Sequence, residues 1–275
     1  MPTLSKKSAD KFIEILIDKT PLLKLINFVV MNDPVSSYPL LTLGRFKTRA
    51  VNKNQVAALQ NPGEIMINFN AKELVLPLII SDSYIEDMQS NHERVANYVA
   101  RAFGLDLQYL FVCGDTNSGG GTDKEQLAAA MDGIQTQLVN AGKFQLFDPA
   151  KSVLEMIKEL FTNMPDLAVA DPDLKILIGT RMFTSLWDSI ATRSADKALL
   201  IKGDKIMYRG KEVIEVPDMS GIVIINPEHI VAGLCRDISI EQQRYPEARG
   251  NKVVCSARVD FQVVTEHALA GFISP

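Results

Sequence analysis

The chain has few of the residues and runs that mark several large protein classes. Its three cysteines are far apart and odd in number, so they form neither a disulfide framework nor a metal-binding pair. Their apolar neighbours predict buried free thiols at Cys113, Cys235 and Cys255, as in a protein made in a reducing cytoplasm. No hydrophobic run is long enough for a membrane helix, and the polar N-terminus is not that of a signal peptide.

The chain also has no large excess of charge of one sign. The chain has 29 basic against 33 acidic residues and a net charge of −4. It therefore presents no overall basic field for gripping nucleic acid, and we expect any contact with DNA to be local, weak and non-specific.

Motifs that carry chemistry are missing as well. The glycine-rich segment at residues 114–124 (GDTNSGGGTDK) lacks the Gly-Lys-Ser/Thr ending of a phosphate-binding loop and predicts a flexible loop. The three histidines, His92, His229 and His267, are isolated, without HExxH spacing. There is no GxSxG segment, and Asp171-Pro172-Asp173 is typical of a turn. We therefore predict no catalytic, cofactor or metal site, and a protein that is not an enzyme.

What the sequence does contain is one unusually long predicted helix, residues 83–112. Its start is specified by Ser83 and Glu86 in capping-box spacing, and Gly114 marks its end. Such a rod would be roughly 45 Å long. Its inward face is a set of apolar residues at helical spacing: Ile85, Met88, Val95, Val99, Phe103 and Leu110.

Two further segments suggest a chain that reaches out from its own core. Residues 9–19 predict a short helix with no sequence-local core to pack on. Residues 40–53 and 63–76 predict a long hairpin whose first strand is basic. A two-stranded hairpin is marginal alone, so this one needs a surface on its own domain or on another copy. The basic residues are Arg45, Lys47, Arg49 and Lys53.

From residue 148 the pattern becomes α/β. Helices are predicted from 148, opened by Asp148-Pro149, and at 180–191. Residues 268–273 predict a buried strand that returns to the central sheet. A second hairpin is predicted from residues 236–245 and 252–264, and its turn carries Glu247 and Arg249. The central strands are predicted at residues 176–178, 205–208, 212–216 and 222–226.

The order of these parts resembles the major capsid proteins of tailed bacteriophages, which have the HK97-like fold. The resemblance covers nearly the whole chain, and it depends on the order and spacing of its segments, since none of them is a strict motif. The segments that carry it are residues 76–87 (LPLIISDSYIED), 111–115 (FVCGD), 132–134 (DGI), 208–219 (YRGKEVIEVPDM) and 258–261 (RVDF).

The resemblance implies an α+β fold with an N-arm, an E-loop hairpin, a peripheral domain with a long spine helix, and an axial α/β domain. It implies a structural protein that self-assembles through pentamers and hexamers into an icosahedral shell around a phage dsDNA genome. The implied domains are residues 1–39 as N-arm, 40–71 as E-loop, 72–131 and 236–264 as peripheral domain, and 132–235 and 265–275 as axial domain.

The same resemblance implies partners and a location. Portal and scaffolding proteins are expected beside the chain itself, with a decoration protein as a further partner and no membrane contact. The protein would be part of the virion capsid and would assemble in the host cytoplasm. Two alternatives stay open: an encapsulin-type nanocompartment shell of the same fold, and a soluble α/β enzyme, which would need a convergent polar pocket.

Six residues are candidates for contacts between subunits. The basic hairpin residues Arg45, Lys47, Arg49 and Lys53 would pair with acidic groups of an adjacent subunit. Around a local three-fold axis, Glu247 of one copy would meet Arg249 of the next.

Overall fold

The structure, a computed structural model, describes residues 20–42, 63–81, 92–192, 199–202, 205–245, 247 and 249–273. Three sequence predictions lie outside these residues: the helix at 9–19, the start of the long helix at Ser83, and the hairpin segment with Arg45, Lys47, Arg49 and Lys53.

Thirteen strands and six helices make up the described fold. The strands are β1 (Asn27–Val30), β2 (Val35–Thr42), β3 (Gly63–Asn70), β4 (Lys72–Ser81), β5 (Phe144–Phe147), β6 (Lys175–Gly179), β7 (Leu199–Lys202), β8 (Lys205–Tyr208), β9 (Lys211–Val216), β10 (Gly221–Ile225), β11 (Ile230–Tyr245), β12 (Gly250–Val263) and β13 (Leu269–Ile273). The helices are α1 (His92–Cys113), α2 (Asp123–Ala128), α3 (Ile134–Asn140), α4 (Val153–Asn163), α5 (Asp166–Val169) and α6 (Thr180–Thr192), with a 3₁₀ turn at Pro227–His229.

A seven-stranded sheet forms the centre, in the order β5-β13-β10-β6-β9-β8-β7. Because it is covered on both faces, its strand β10 is apolar and buried at every position. In β6, Leu177 faces one core cluster while Ile176 and Ile178 face the other, which α4 and α6 cover. The prediction that the last apolar segment returns to this sheet is confirmed, since β13 lies between β5 and β10.

A four-stranded sheet lies on the other side of the molecule, in the order β1-β11-β12-β4. The long antiparallel pair β11–β12 confirms the second predicted hairpin, but β11 begins at Ile230, six residues before the predicted start. The expected domain boundary at 235/236 therefore falls inside a strand, where the β11–β12 pairing shifts register between Leu234 and Ser239.

Helix α1 packs between the two sheets. Its buried face contributes Val99, Phe103, Leu107 and Leu110 to a core cluster that also includes residues of β6, β10 and β12. Phe111 stacks on Phe261 of β12 with ring centroids 4.6 Å apart. The helix ends at Cys113, which confirms the predicted end beside Gly114 within one residue.

Residues 20–26, in the segment predicted as the N-terminal arm, pack on the main core of the chain. Leu22 and Leu23 are 0% and 1% exposed and belong to the same cluster as α1. The backbone N–H of Leu22 donates to Oε1 of Gln108 over 3.4 Å, and β1 then pairs in parallel with β11. This part of the arm is therefore integral to the fold of its own subunit.

Local capping corrects two further predictions. Helix α4 begins at Val153 rather than at Asp148-Pro149, because Ser152 and Glu155 form a complete capping box. The glycine-rich loop ends in the unpredicted helix α2, where Thr122 and Glu125 form a second box.

The cysteines are free thiols, as predicted, but only Cys255 is fully buried. Burial raises the pKa of Cys255 to about 12 and, with the Asp218 carboxylate adding to it, that of Cys113 to about 11. Both thiols are therefore protonated at neutral pH and are poor nucleophiles. Among the described helices, none is long and apolar enough to cross a membrane.

Candidate subunit interface

The hairpin predicted from residues 40–76 begins earlier than predicted, because β2 starts at Val35 and pairs with β3 in register from Val35↔Asn70 to Thr42↔Gly63. The expected boundary between arm and hairpin at 39/40 therefore falls inside β2. The chain then leaves the hairpin at Ala71 and enters β4, an edge strand of the four-stranded sheet. The predicted second strand, 63–76, is thus divided between two sheets. The base of the hairpin is held at this crossing.

A small core cluster fixes the hairpin base to the four-stranded sheet. Ile67 and Phe69 point inward from β3 and meet Met31, Val231 and Val264. Phe69 is 1% exposed, so its burial makes a large apolar contribution to holding the hairpin in place. The hairpin is therefore anchored at its base by the same subunit that carries it.

A buried carboxylate adds a polar tie at the same place. Asp260 of β12 accepts hydrogen bonds from the backbone N–H of Asn70 at 2.6 Å and from that of Phe261 at 2.8 Å. Nε2 of Gln262 donates to it at 3.3 Å. Asp260 is 4% exposed, and several donors satisfy its charge, so it fixes the direction in which the hairpin leaves the sheet.

A polar cavity of about 220 Å³ opens beside this tie, and Asp132 and Asp260 are among its lining residues. Both carboxylates are already used, because Oδ1 of Asp132 accepts from the N–H and the hydroxyl of Thr116 at 2.9 and 2.8 Å. Within the described ranges, no three His, Cys, Asp or Glu side chains are placed to hold a metal ion. The cavity therefore offers structural hydrogen bonds, not a set of reactive groups.

The outer face of β4 carries an apolar row that the sequence analysis did not single out. Val75 and Ile79 are 54% and 58% exposed, and Pro77 between them is also exposed. The opposite face, with Leu74, packs on the core. A strand with one exposed face usually alternates apolar and polar residues. In β4 both faces are apolar, so the sequence has no such alternation to distinguish the exposed face.

The turn between β11 and β12 presents Glu247 and Arg249, both exposed, at one end of the four-stranded sheet. Arg249 has a positive φ of 45°, which is uncommon for a side-chain-bearing residue, and Glu247 already takes part in an interaction within the chain. A Cβ on the next residue, Gly250, would lie 2.4 Å from the carbonyl oxygen of Ile80, so glycine is needed for β12 to start against the end of β4. The turn that carries Glu247 and Arg249 is therefore fixed in place by the close contact between Gly250 and Ile80.

The structure therefore describes two of the six predicted contact residues, Glu247 and Arg249, and places them at the same tip. The other four lie beyond the described part of the hairpin. The exposed row of β4 lies on the strand that follows the hairpin, so the hairpin base and this row are parts of one continuous stretch of chain.

Comparison with known proteins finds similarity to proteins of capsids in both sequence and fold. No protein-family model matches the sequence. In sequence, the chain is 21% identical over 290 residues to YqbE of Bacillus subtilis (strain 168), a prophage protein whose name assigns it to a capsid, with 98% of this chain and 92% of YqbE covered.

In structure, the chain resembles a subunit of the procapsid of satellite phage P4, which includes the size determination (Sid) protein, with a TM-score of 0.70 at 11% identity. That match covers 96% of this chain and 98% of the other. A virus-like particle from Pyrococcus furiosus matches with a TM-score of 0.58 at 10% identity, covering 96% and 97%. These comparisons confirm the resemblance to phage major capsid proteins and show that the chain has the mixed α+β fold of such subunits.

Proposed function

We propose that the chain is a major capsid subunit that self-assembles, through pentamers and hexamers, into an icosahedral shell around a phage dsDNA genome. The observation that carries the proposal is the similarity along the whole chain to a prophage capsid protein in sequence and to a procapsid subunit in structure. Both comparisons cover more than nine tenths of each chain, so the similarity is not limited to one domain.

Physical features of the subunit support the same proposal. The hairpin extends from an anchored base, and the next strand exposes Val75, Pro77 and Ile79 on one face. Exposed apolar rows of this kind commonly mark surfaces that a partner covers. Assembly through several such separate elements would bury more than a standard interface of about 1,600 Å².

The domain assignment is part of the proposal. Residues 1–39 would form the N-arm and 40–71 the E-loop, with 72–131 and 236–264 as the peripheral domain and 132–235 and 265–275 as the axial domain. The crossing at Ala71 supports the boundary between E-loop and peripheral domain. The start of β11 at Ile230 favours moving the later boundary to the 3₁₀ turn at Pro227–His229.

The partners and the location follow from the capsid role. The chain would associate with portal and scaffolding proteins, and with a decoration protein where one exists. It would contact packaged DNA weakly and without sequence preference, since its net charge is −4. It would assemble in the host cytoplasm and remain in the virion.

An encapsulin-type nanocompartment is the second candidate, because the neighbours include a virus-like particle from an archaeon. The prophage origin of YqbE favours the phage role. The contents of purified particles separate the two: nucleic acid protected from nuclease indicates a genome shell, whereas a co-purifying cargo protein indicates a nanocompartment.

The proposal is tested by expressing the full chain and observing the product by electron microscopy and light scattering. We expect closed particles with five-fold and six-fold capsomers, formed alone or after addition of a scaffolding protein. A monomer that persists at every concentration and under both conditions would refute the proposal.

The basic hairpin gives a sharper test. Arg45→Glu combined with Lys47→Glu should reduce particle yield while leaving the melting temperature of the subunit unchanged, because each exposed pair is worth only about 0.2 to 1 kcal/mol but recurs in every subunit. The matched control is Lys158→Glu with Arg181→Glu, two exposed positions on α4 and α6. Equal particle yields from both double variants would show that the hairpin charges do not take part in assembly.

A further inference from the structure

Two of the chain crossings between the two large sheets carry a histidine. The first leads from β10 to β11 through the 3₁₀ turn and contains His229. The second leads from β12 to β13 and contains His267. The backbone N–H of Val264 donates to the carbonyl of His229 over 2.9 Å, so the crossings are hydrogen-bonded to each other. The two imidazole rings lie beside this bond with centroids 6.2 Å apart.

Both rings contain a buried polar atom with no partner. Nδ1 of His229 and Nδ1 of His267 are shielded from solvent, and neither makes a hydrogen bond. A buried orphan of this kind costs free energy and is uncommon in native proteins. The two unpaired nitrogens at this junction therefore both lower the stability of the folded chain at the same place. No third metal-ligating side chain joins them among the described residues, so a metal ion does not account for the pair.

Burial, with a smaller effect from the facing His267, lowers the pKa of His229 below its ordinary value of 6.5. Three carboxylates act in the opposite direction from neighbouring elements: Asp171 before β6, Glu228 in the 3₁₀ turn, and Glu266 in the second crossing. The balance still favours the neutral imidazole.

Asp171, which has the largest of the three pKa-raising effects on His229, accepts hydrogen bonds from other groups. Oδ2 of Asp171 accepts from Nδ2 of Asn226 at 2.7 Å, and its Oδ1 accepts from the N–H of Asp173 at 3.0 Å. Asn226 in turn accepts at 2.9 Å from the N–H of Glu228 through its own Oδ1. Asp171 therefore fixes the turn that carries His229, and its charge acts on the imidazole through space without outweighing burial.

We propose that His229, packed against His267, forms an acid-sensitive latch between the two sheets, closed while the His229 ring is neutral. In the imidazolium form of His229 both ring nitrogens carry a proton, so a donor would be placed at the buried Nδ1, which has no acceptor. A positive charge would also stand against the facing ring. Acidification then weakens the packing of the two crossings against each other. The latch belongs to the single folded chain and does not depend on shell formation.

The sign of the pH dependence follows from proton linkage. Below about pH 6.5 the unfolded chain binds a proton at this histidine more readily than the folded chain does, so stability falls as the pH falls. The loss continues down to the lowered pKa of the folded state and is absent above about pH 7.5.

The test measures the melting temperature of the full chain between about pH 7.5 and 5.5. In wild type it should fall across this range, and His229→Gln should reduce the fall, because the neutral amide cannot be protonated. His92→Gln, which removes the histidine outside the pair, should keep the full fall. An equal fall in His229→Gln and wild type would overturn the latch.

A second measurement covers the case in which His229→Gln does not fold. The His229 ring is titrated in wild type by NMR, with its resonance assigned by comparison with His267→Gln and His92→Gln. A pKa below 6.5 is expected, and amide exchange in residues 226–230 and 264–268 should accelerate as the ring titrates. A pKa at or above 6.5, or exchange that does not follow the titration, would overturn the proposal.

Discussion

Replacing Gly133 by alanine should destabilise the subunit through a steric clash. Gly133 has a φ of −80°, so alanine can adopt its backbone conformation. The new Cβ would nevertheless lie 2.7 Å from the nitrogen of Gly114 and 2.8 Å from the carbonyl oxygen of Leu110. Ordinary contacts are about 3.5 to 4.0 Å. Both atoms belong to the backbone at the end of α1, which cannot rotate aside as a side chain can.

Gly133→Ala should therefore lower the free energy of unfolding by about 3 kcal/mol, near the upper end of the range for overpacked sites. For a chain of this size that corresponds to a fall of roughly 6 to 12 °C in melting temperature. Calorimetry of the purified subunit measures the fall directly. Particle yield measured in parallel shows whether the seam between α1 and α3 also matters for assembly.

Gly119 provides the matched control. It lies in the loop before α2, and a Cβ there would meet nothing within 4 Å. Gly119→Ala should change stability by no more than about 0.5 kcal/mol. If Gly133→Ala melts at the same temperature as Gly119→Ala, the close approach of the two glycine-containing segments does not constrain the fold.

Two further predictions concern the arm and the tip. Deleting residues 1–33 should unfold the subunit, because it removes Leu22 and β1, whereas deleting residues 1–19 should leave a folded chain with impaired assembly. Circular dichroism measures folding and particle counts measure assembly for each deletion. A folded product of the longer deletion would contradict the assignment of Leu22 to the core. At the tip, Glu247→Arg should weaken particles at low salt, and adding Arg249→Glu should restore them; if the single change leaves particle stability unaltered, or the second rescues nothing, the two residues do not meet across subunits.

The parts of the fold that the sequence predicted well are those with strong periodicity. The end of α1 follows from a helical row that stops at a glycine, and β6 and β10 follow from short runs that are apolar on both faces. These signals depend only on neighbouring residues, so they can be interpreted without knowledge of the rest of the chain.

The unpredicted helix α2 and the misplaced start of α4 both have a local signal in the sequence. Thr122 with Glu125, and Ser152 with Glu155, are both capping boxes, a pattern that can be recognised in sequence. Helix α2 has only six residues, so capping is the main evidence for where it begins, whereas the apolar face of α4 predicts the helix and its capping box fixes the first residue.

Other features could not be derived from local pattern. The parallel pairing of β1 with β11 and the burial of Leu22 depend on residues far along the chain. The exposed row of β4 is hidden by its equally apolar inner face. The histidine pair is likewise a product of the two crossings, since His229 and His267 are isolated in sequence.

The pairing of β1 with β11 has a consequence for the timing of synthesis. The strand that receives Asn27–Val30 is translated about two hundred residues later, at ribosomal rates an interval of roughly 10 to 40 s. Until then β1 has no partner, and the hairpin base lacks Val231 and Val264, on which Phe69 packs. The hairpin base and the arm therefore cannot reach their final packing until the segment that contains β11 and Val264 has been made. High contact order of this kind also slows folding.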